Sequence, residues 1–454
     1  MTADPTGPFD VAILGAGAAG MFVALAAQAR GLRVLLVEPR AGTASNFAIS
    51  GGLFPAAGSR LQATAGVRDR PEDWLQDLRA FAPPGAVNER IAAAVAEALP
   101  RVVDFLLDEA GAPLRFLPDT VAPGHRALRF HSVQPASGAA FAAWFRGAVQ
   151  ARPGLVFAPQ RALPQRRSGG GFELAWEDGR PPARAAALVL AGGGFGADAA
   201  MVARHIPAMA GALHNGSATN DGSTIALGLA WGAALWGMDG YQGQGHANPG
   251  GATRLGMSIP PLGGVLVNRD GQRFVREDVG PSALAAHVLA QPGGVALEVF
   301  DAAIEAQLGN ASAYQAARAA GQVLQADTVE DLAALAAVPA PALRATLADV
   351  AAWATAGVTG RDADPLGRER FARALQPPYR ASWVTGALSH TQGGLLTDAD
   401  GRVLDAADHT IPGLYATGGC AAGLVARGGE GYLPGNGLAQ AFGLGWRVAQ
   451  ALPG

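Results

Sequence analysis

The hexapeptide Gly15-Ala16-Gly17-Ala18-Ala19-Gly20 follows directly on the apolar run Asp10 to Leu14 and opens a small-residue helical pattern from Ala18 to Arg30. Strand, then GxGxxG, then helix is an arrangement with a narrow physical meaning. Gly15 permits the tight strand-to-helix turn, Gly17 lets backbone N–H groups approach a pyrophosphate, and Gly20 lets helix and strand pack closely. The helix N-terminus adds the positive end of its dipole. A second apolar run, Arg33 to Val37, ends in Glu38, where a ribose hydroxyl needs an acceptor. The unit predicts a dinucleotide half-site, with Ala18, Ala19 and Pro39 among the contacting residues beside the three glycines and Glu38. Any one of these glycines alone would be an ordinary turn residue. Phosphate binding follows from the set; redox chemistry does not.

At 454 residues the chain exceeds one simple core and predicts two or three domains. Its 34 basic and 37 acidic residues leave a net charge of -3, which offers no basic footprint for nucleic acid. Cys420 is the only cysteine, excluding an internal disulfide, a covalent haem motif or a cysteine-ligated cluster and fitting a reducing compartment. His125, His131, His205 and His214 lack any coherent metal spacing, so no metal is expected. The opening residues MTADPTGPF have neither the charged nor the apolar region of a secretion signal. The longest apolar stretch, Ser223 to Met238, falls short of the ~20 residues of a membrane span and predicts a buried helix. A cytoplasmic protein without a membrane span is the expectation.

After Glu38 comes AGTASNFAISGGLFPAAGSRLQ, too rich in small residues for a regular core element and suited to close approach to a ligand. Helical patterns follow at Pro71 to Ala80, Asn88 to Leu99, Arg101 to Ala110 and Ala136 to Ala151. Leu155 to Phe157, Phe172 to Trp176 and Ala187 to Leu190 read as strands, the last running into the glycine-rich Ala191 to Gly196 where Ala191 and Gly192 are expected at the cofactor. Around Gly240 the composition changes to the turn-rich GYQGQGHANPGG, then a strand-like Gly264 to Asn268 and helical stretches reaching about Ala356. The expected organisation is a nucleotide domain over 1–240, an inserted cap over 241–381, and a completing segment over 382–454.

The motifs GAGAAG with Glu38, SNFAISGG, LVLAGGGFG, ATNDGSTIALGLAWGA, GGVLVNRDGQRFVRE, HTQGGLLTD, GLYATGG and GNGLAQAFG occur in this order along nearly the whole chain. Together they resemble the fumarate reductase and succinate dehydrogenase flavoprotein superfamily, which also contains 3-ketosteroid dehydrogenases and tricarballylate dehydrogenase. The resemblance implies an α/β fold: a Rossmann-like, glutathione-reductase-like FAD domain interrupted by an α+β cap, with substrate held against the flavin. It implies that Ser45, Asn46, Ser50, Gly51 and Gly52 lie along the flavin and that Ala162 offers backbone to the adenine. Asn220 and Asp221 match the TGDG element of the family, and Asn436, Gly437 and Leu438 close over the pyrimidine edge. Gly419 stands where many relatives carry a ribitol-binding glutamate. Relatives with covalent flavin attach it through a histidine after the first acid; this segment has none, implying non-covalent FAD. A single GxGxxG leaves the electron donor or acceptor unidentified.

Two departures from fumarate reductases bear on chemistry. The catalytic arginine four residues after the glutamate of RFVRE is Pro281 here, and the substrate-clamping arginine before LGGN is Tyr432 in YLPGN. Losing two charge-assisted contacts, each worth roughly 1.5–3 kcal/mol, disfavours a dicarboxylate and places the chain nearer the tricarballylate and ketosteroid dehydrogenase branch. Tyr432 is a candidate donor to a developing enolate, or a packing tyrosine. His390 matches the substrate-binding histidine of HTxGG, with a strand-end hydrogen bond as the alternative. Tyr241 and His246 fall where relatives have QxHP, although Gln242 also fits that position. Arg427 is either a displaced carboxylate clamp or a surface arginine, and Arg254 in the cap is a candidate for similar work. Glu277 is expected to tie the cap to the flavin domain rather than to move protons. The expected function is FAD-dependent dehydrogenation or reduction of a C–C bond beside a carbonyl or carboxylate. A flavin oxidase or monooxygenase using oxygen, or a flavin-binding subunit without substrate chemistry, are the alternatives.

Overall fold

The computed structural model describes residues 7–454 except 42, 252, 310, 357–363 and 369, so most of the opening nine residues lie outside the described part. The chain forms two compact units. The first comprises Met1–His205, Gly216–Tyr241 and His390–Gly454. Strand Pro8–Leu14 runs mid-sheet, parallel to Val34–Val37 on one side and to Ala183–Leu190 on the other. Leu155–Ala158 and Thr410–Ala416 extend the parallel order outward, and Arg402–Leu404 closes one edge antiparallel. Strands of a parallel sheet are covered on both faces, which is why Val11 to Leu14 and Val34 to Val37 are continuous buried apolar runs.

Helix Ala18–Ala29 and the last helix, Asn436–Ala451, pack together, and Glu89–Asp108 packs on the latter. That 20-residue helix runs unbroken through Pro100, where the sequence predicts two helices. Buried Ile91, Val95, Leu99, Val102 and Leu106 continue one apolar stripe across the proline, and their burial outweighs the missing N–H. Ser223 to Met238 departs in the other direction, with a helix only over Ser223–Ala230. Gly232 and Gly237 at φ +91° and +64° turn the chain, and Leu235–Trp236 pairs as a strand with Gly394–Leu395.

The small-residue segment after Glu38 also forms more structure than predicted, including a short helix Asn46–Ile49. Its anchor is Phe47, whose ring lies 5.2 Å from Phe141 and 5.9 Å from Phe442, within a cluster where Phe145 stacks on Phe442. Phe54, fully buried 5.1 Å from Phe442, is the second anchor, so two aromatics among small residues hold the segment to the core.

The second unit comprises Ile206–Asn215 and Gln242–Ser389. These bounds differ from 241–381 because Leu213–His214 pairs parallel with Tyr379–Thr391, a single strand that continues past residue 382. That strand also pairs antiparallel with Val295–Asp301, which in turn pairs with Val265–Val267. The glycine-rich 240–251 segment, expected as turns, contains strand Tyr241–Ala247. Its glycines serve packing: a side chain at Gly245 would fall 2.6 Å from Leu284 on the helix Pro281–Leu289. Leu297, Val299, Phe300, Ile304 and Val384 form the core. Beside it, buried Glu277 binds Arg273 at 2.7 Å and Arg368 at 3.1 Å, and Arg273 also binds Asp364 at 2.9 Å. The recorded partners of Glu277 all belong to the second unit, so it braces that unit internally instead of tying it to the first. Among the described residues, no helix is long and apolar enough to cross a membrane, and no group of three or more His, Cys, Asp or Glu could hold a metal.

Candidate active site

The GxGxxG turn has the shape its glycines require. Gly15 sits at φ +109°, and a Cβ there would lie 2.4 Å from the Ala191 carbonyl oxygen; one on Gly20 would lie 1.8 Å from the Gly15 carbonyl oxygen. Both positions are closed by protein. Gly17 is different: nothing lies within 4 Å of its notional Cβ, and its φ of -77° suits any residue. The space beside it is open. Ala18 and Ala19 begin the helix that follows, pointing its unbonded N–H groups toward that space.

Glu38 accepts from the Ala16 N–H at 3.0 Å through one oxygen and from the Arg40 N–H at 2.9 Å through the other. Each oxygen keeps a second lone pair for a ribose hydroxyl. An open cleft beside it is lined by Ala16, Leu36, Glu38, Arg40, Ser45 and Thr219. Pro39 leads from Glu38 to Arg40, whose guanidinium pairs with Asp221 at 3.0 Å and donates to the Thr219 carbonyl at 3.0 Å. Sequence reasoning did not single out Arg40; a basic residue two places after the acid was the available signal.

Ala191 is buried at the end of its strand; a side chain on Gly192 would meet Thr224 at 2.4 Å, and one on Gly193 would meet the Asn220 amide oxygen at 2.1 Å. Asn46 accepts from the Ser217 N–H at 2.6 Å, while the Ser50 hydroxyl donates to the Phe47 carbonyl and accepts from Gly52 N–H. Ser45 caps the short helix, and Gly51 is exposed beside it. Gly52, at φ +68°, abuts Ser137 and Gly138, two residues with no motif to mark them. Ala162 opens a strand hydrogen-bonded to Phe172–Trp176. A Cβ on Gly419 would fall 2.8 Å from the Gly194 nitrogen, so a glutamate there would require the backbone to move.

Asn436, fully buried at the start of the last helix, has both amide atoms without a hydrogen-bond partner among the described residues. A buried amide left unpaired costs about 1–3 kcal/mol, so this one is placed for a bound group that both donates and accepts. Open backbone at Gly17, acceptors at Glu38 and an amide at Asn436 fit the phosphate, ribose and imide-edged ring of a flavin dinucleotide. Gly437 and Leu438 follow in the same helical turn.

Tyr432 and His390 meet in the first unit, ring centroids 5.9 Å apart and edge to face. Tyr432 is half-buried; burial pushes its hydroxyl up to about 12, with the Gly437 backbone opposing. It therefore stays protonated with its O–H free to donate. His390 Nδ1 lies 2.6 Å from the Thr391 carbonyl and must carry the hydrogen. Burial drives the ring down to about 4, opposed by that same backbone bond, so it is neutral and its bare Nε2 accepts from the Gln392 amide at 2.8 Å. A Cβ on Gly437 would crowd Nε2 at 2.8 Å. His390 is thus an occupied acceptor rather than a free donor, and Gln392, unnoticed in the sequence, makes it so.

The same burial brings His125 and His131 to about 4. These rings protonate near 6.5 when unfolded and resist protonation when folded, so the unfolded chain binds more protons between those values and stability falls as pH is lowered through 6.5 toward 4. Urea melts of the protein should show the midpoint dropping across this window; an unchanged midpoint from about pH 7 to about pH 5 would exclude neutral buried rings.

Tyr241 and Arg427 lie on paired segments of the first unit, where the Tyr241 N–H donates to the Gly428 carbonyl at 3.1 Å. Tyr241 is buried, its hydroxyl raised to about 12 by burial and by Glu430, with the Gly429 backbone opposing. Arg427 is exposed at φ +63° and donates to the Pro84 carbonyl at 2.7 Å. His246 is buried in the second unit with Nδ1 2.9 Å from Glu298, and Arg254 is exposed in that unit. Pro281 is the first residue of its helix.

The sequence profile of a family described as FAD binding domain matches residues 10–438. A probable fumarate reductase of Shewanella frigidimarina is 27% identical over 97% of this chain and 74% of its own length. The open conformation of a flavocytochrome c3 fumarate reductase superposes with a TM-score of 0.81 at 26% identity, covering 98% of this chain and 78% of the other. A 3-ketosteroid Δ4-(5α)-dehydrogenase from Rhodococcus jostii, solved with 4-androstene-3,17-dione, gives 0.77 at 25% identity over 98% and 97%.

Proposed function

The chain belongs to the FAD binding domain family, its cofactor is FAD, and from that premise we propose that it oxidises or reduces the C–C bond beside the carbonyl of an uncharged ketone or enone. It is an FAD-dependent oxidoreductase of CH–CH bonds next to a carbonyl or carboxylate; the proposal narrows the substrate and assigns the residues. FAD supplies the two-electron acceptor or donor, exchanging a hydride with the β-carbon.

The observation that carries the narrower reading is the Tyr432 hydroxyl, protonated, half-buried and just ahead of a 16-residue helix that starts at Asn436. A helix N-terminus behind a neutral donor favours negative charge developing on a carbonyl oxygen. His390 buttresses the phenol from the side as a neutral ring. Guanidinium clamps are not part of the proposal: Arg427 is held on Pro84, and Pro281 and Tyr432 occupy positions that are arginine in fumarate reductases. Open backbone at Gly17 admits the pyrophosphate, Glu38 holds the ribose, and Asn436 meets the flavin's imide edge. The lone, buried cysteine accords with a cytoplasmic, reducing setting.

Anaerobic mixing of the holoenzyme with cyclohexanone, 4-androstene-3,17-dione and succinate tests the reading: a ketone should bleach the flavin and succinate should not. Fumarate with a reduced dye should turn over negligibly, since general acid catalysis is worth ~10²–10⁴-fold and Pro281 has no proton to give. Brisk fumarate turnover would reverse the substrate assignment. We further infer that FAD is non-covalent, as residues 39–52 contain no histidine. Denaturation should release it intact, and flavin retained on the unfolded chain by intact mass would contradict this.

A further inference from the structure

One side chain joins two distant stretches of the first unit beside Glu38. Arg40 donates its backbone N–H to one Glu38 oxygen at 2.9 Å, and its guanidinium Nη2 lies 3.0 Å from Asp221 Oδ2 and 3.0 Å from the Thr219 carbonyl. Thr219 is 179 residues further along the chain but belongs to the same compact unit. The open cleft is lined by Glu38, Arg40 and Ser45 from the first stretch and by Thr219 from the second, so the guanidinium reaches across the cleft from one to the other.

The partners of Arg40 are held firmly, whereas Arg40 itself is not. Asn46 accepts from the N–H of the buried Ser217 at 2.6 Å, and the Ser217 hydroxyl accepts from the Thr219 N–H at 3.2 Å. Asp221 accepts from the Ser223 N–H at 3.1 Å, at the start of helix Ser223–Ala230. The Arg40–Asp221 pair, by contrast, leaves 41% and 39% of its side chains in water. An exposed ion pair is weak and is screened by salt, so this outer tie yields before the buried one at Asn46. Its nitrogen is also committed to a carboxylate and a carbonyl, which leaves it no free charge to offer a phosphate.

We propose that Arg40 is a clasp over the FAD cleft: closed onto Thr219 and Asp221, it must let go for the dinucleotide to enter or leave, and so it sets the rate of cofactor exchange. The proposal rests on the non-covalent reading of FAD above. A clasp slows entry and exit by the same factor and leaves affinity alone, whereas a cation that held the pyrophosphate directly would slow exit only.

The test starts from holoenzyme. On dilution to several concentrations, the fluorescence of freed FAD gives the release rate from its time course and Kd from its plateau, and the release rate divided by Kd gives the uptake rate. Arg40→Gln keeps the backbone N–H on Glu38, and Asp221→Asn keeps an oxygen for the Ser223 N–H. Each should release FAD about 5–20-fold faster and take it up faster by a similar factor, with Kd within about threefold. The double variant should be no faster than the faster single one, because both changes open the same tie. Raising ionic strength from about 20 mM to about 500 mM should quicken both rates in the wild type and change neither by more than about twofold in Arg40→Gln. Arg60→Gln breaks a comparably exposed pair with Asp108, away from the residues that line the cleft, and should leave both rates within about twofold of wild type.

Unchanged rates in both Arg40→Gln and Asp221→Asn, faster release without faster uptake, or equal acceleration in Arg60→Gln would overturn the proposal. If neither clasp variant folds, the wild-type salt series decides: release that salt leaves unchanged, or quickens without uptake, would overturn it. FAD retained on the unfolded wild-type chain by intact mass would overturn this proposal and the non-covalent reading together. FAD freed by unfolding, but exchanged at wild-type rates by the variants, would overturn the clasp alone.

Discussion

Gly17→Val should purify folded and colourless. The notional Cβ of Gly17 meets nothing within 4 Å and its φ is -77°, so valine fits the protein without strain. What it fills is the space in which we propose that the pyrophosphate approaches the backbone. Charge-assisted hydrogen bonds from backbone N–H groups are worth roughly 1.5–3 kcal/mol each, so losing two of them weakens FAD binding by about 10²–10⁴-fold. Gly20→Val supplies the contrast. Its Cβ would stand 1.8 Å from the Gly15 carbonyl oxygen, and that variant should lose its fold together with its flavin. Calorimetry of FAD-free protein separates the two: Gly17→Val should melt within about 4 °C of the wild type, a shift worth no more than ~1 kcal/mol. Retained yellow colour and normal affinity in Gly17→Val would mean that the dinucleotide lies elsewhere.

Tyr432→Phe should keep FAD and slow its reduction by a ketone about 10²–10³-fold, the usual cost of removing one oxyanion donor. Phenylalanine preserves the ring that meets His390 edge-on and deletes only the hydroxyl. The donor's contribution grows as the carbonyl becomes enolate-like, so the loss should appear in the maximal rate more than in the half-saturating concentration. Stopped-flow reduction within about twofold of wild type would make Tyr432 a packing residue and remove the ground for an enolate-like step.

The cofactor cradle was legible because its residues obey local rules. Gly15, Gly17, Gly20 and Glu38 sit within one strand-helix-strand unit, where short-range spacing dictates geometry. The partners of the candidate histidines were not. Gln392 could be seen beside His390, but only the ring's orientation toward Thr391 reveals that the amide caps its Nε2. Glu298 meets His246 across 52 residues of sequence, through strand pairing that no local pattern specifies. Pro100 misled for a related reason: the helix survives because its buried stripe packs on the last helix, a long-range energy invisible to local propensity. In 240–251 the glycines read as turns, although at Gly245 the strand uses glycine to let a helix lie against it.

The central claim is that this FAD enzyme moves hydrogen across the bond beside an uncharged carbonyl, and its oxidising direction is the one tested. Its most direct test is anaerobic single-turnover mixing of the holoenzyme with 4-androstene-3,17-dione and with cyclohexanone, following flavin absorbance and the mass of the recovered organic product together. The account predicts bleaching matched one-for-one by a product lighter by two hydrogens. Flavin that stays yellow with both ketones while succinate bleaches it and yields fumarate would contradict the account.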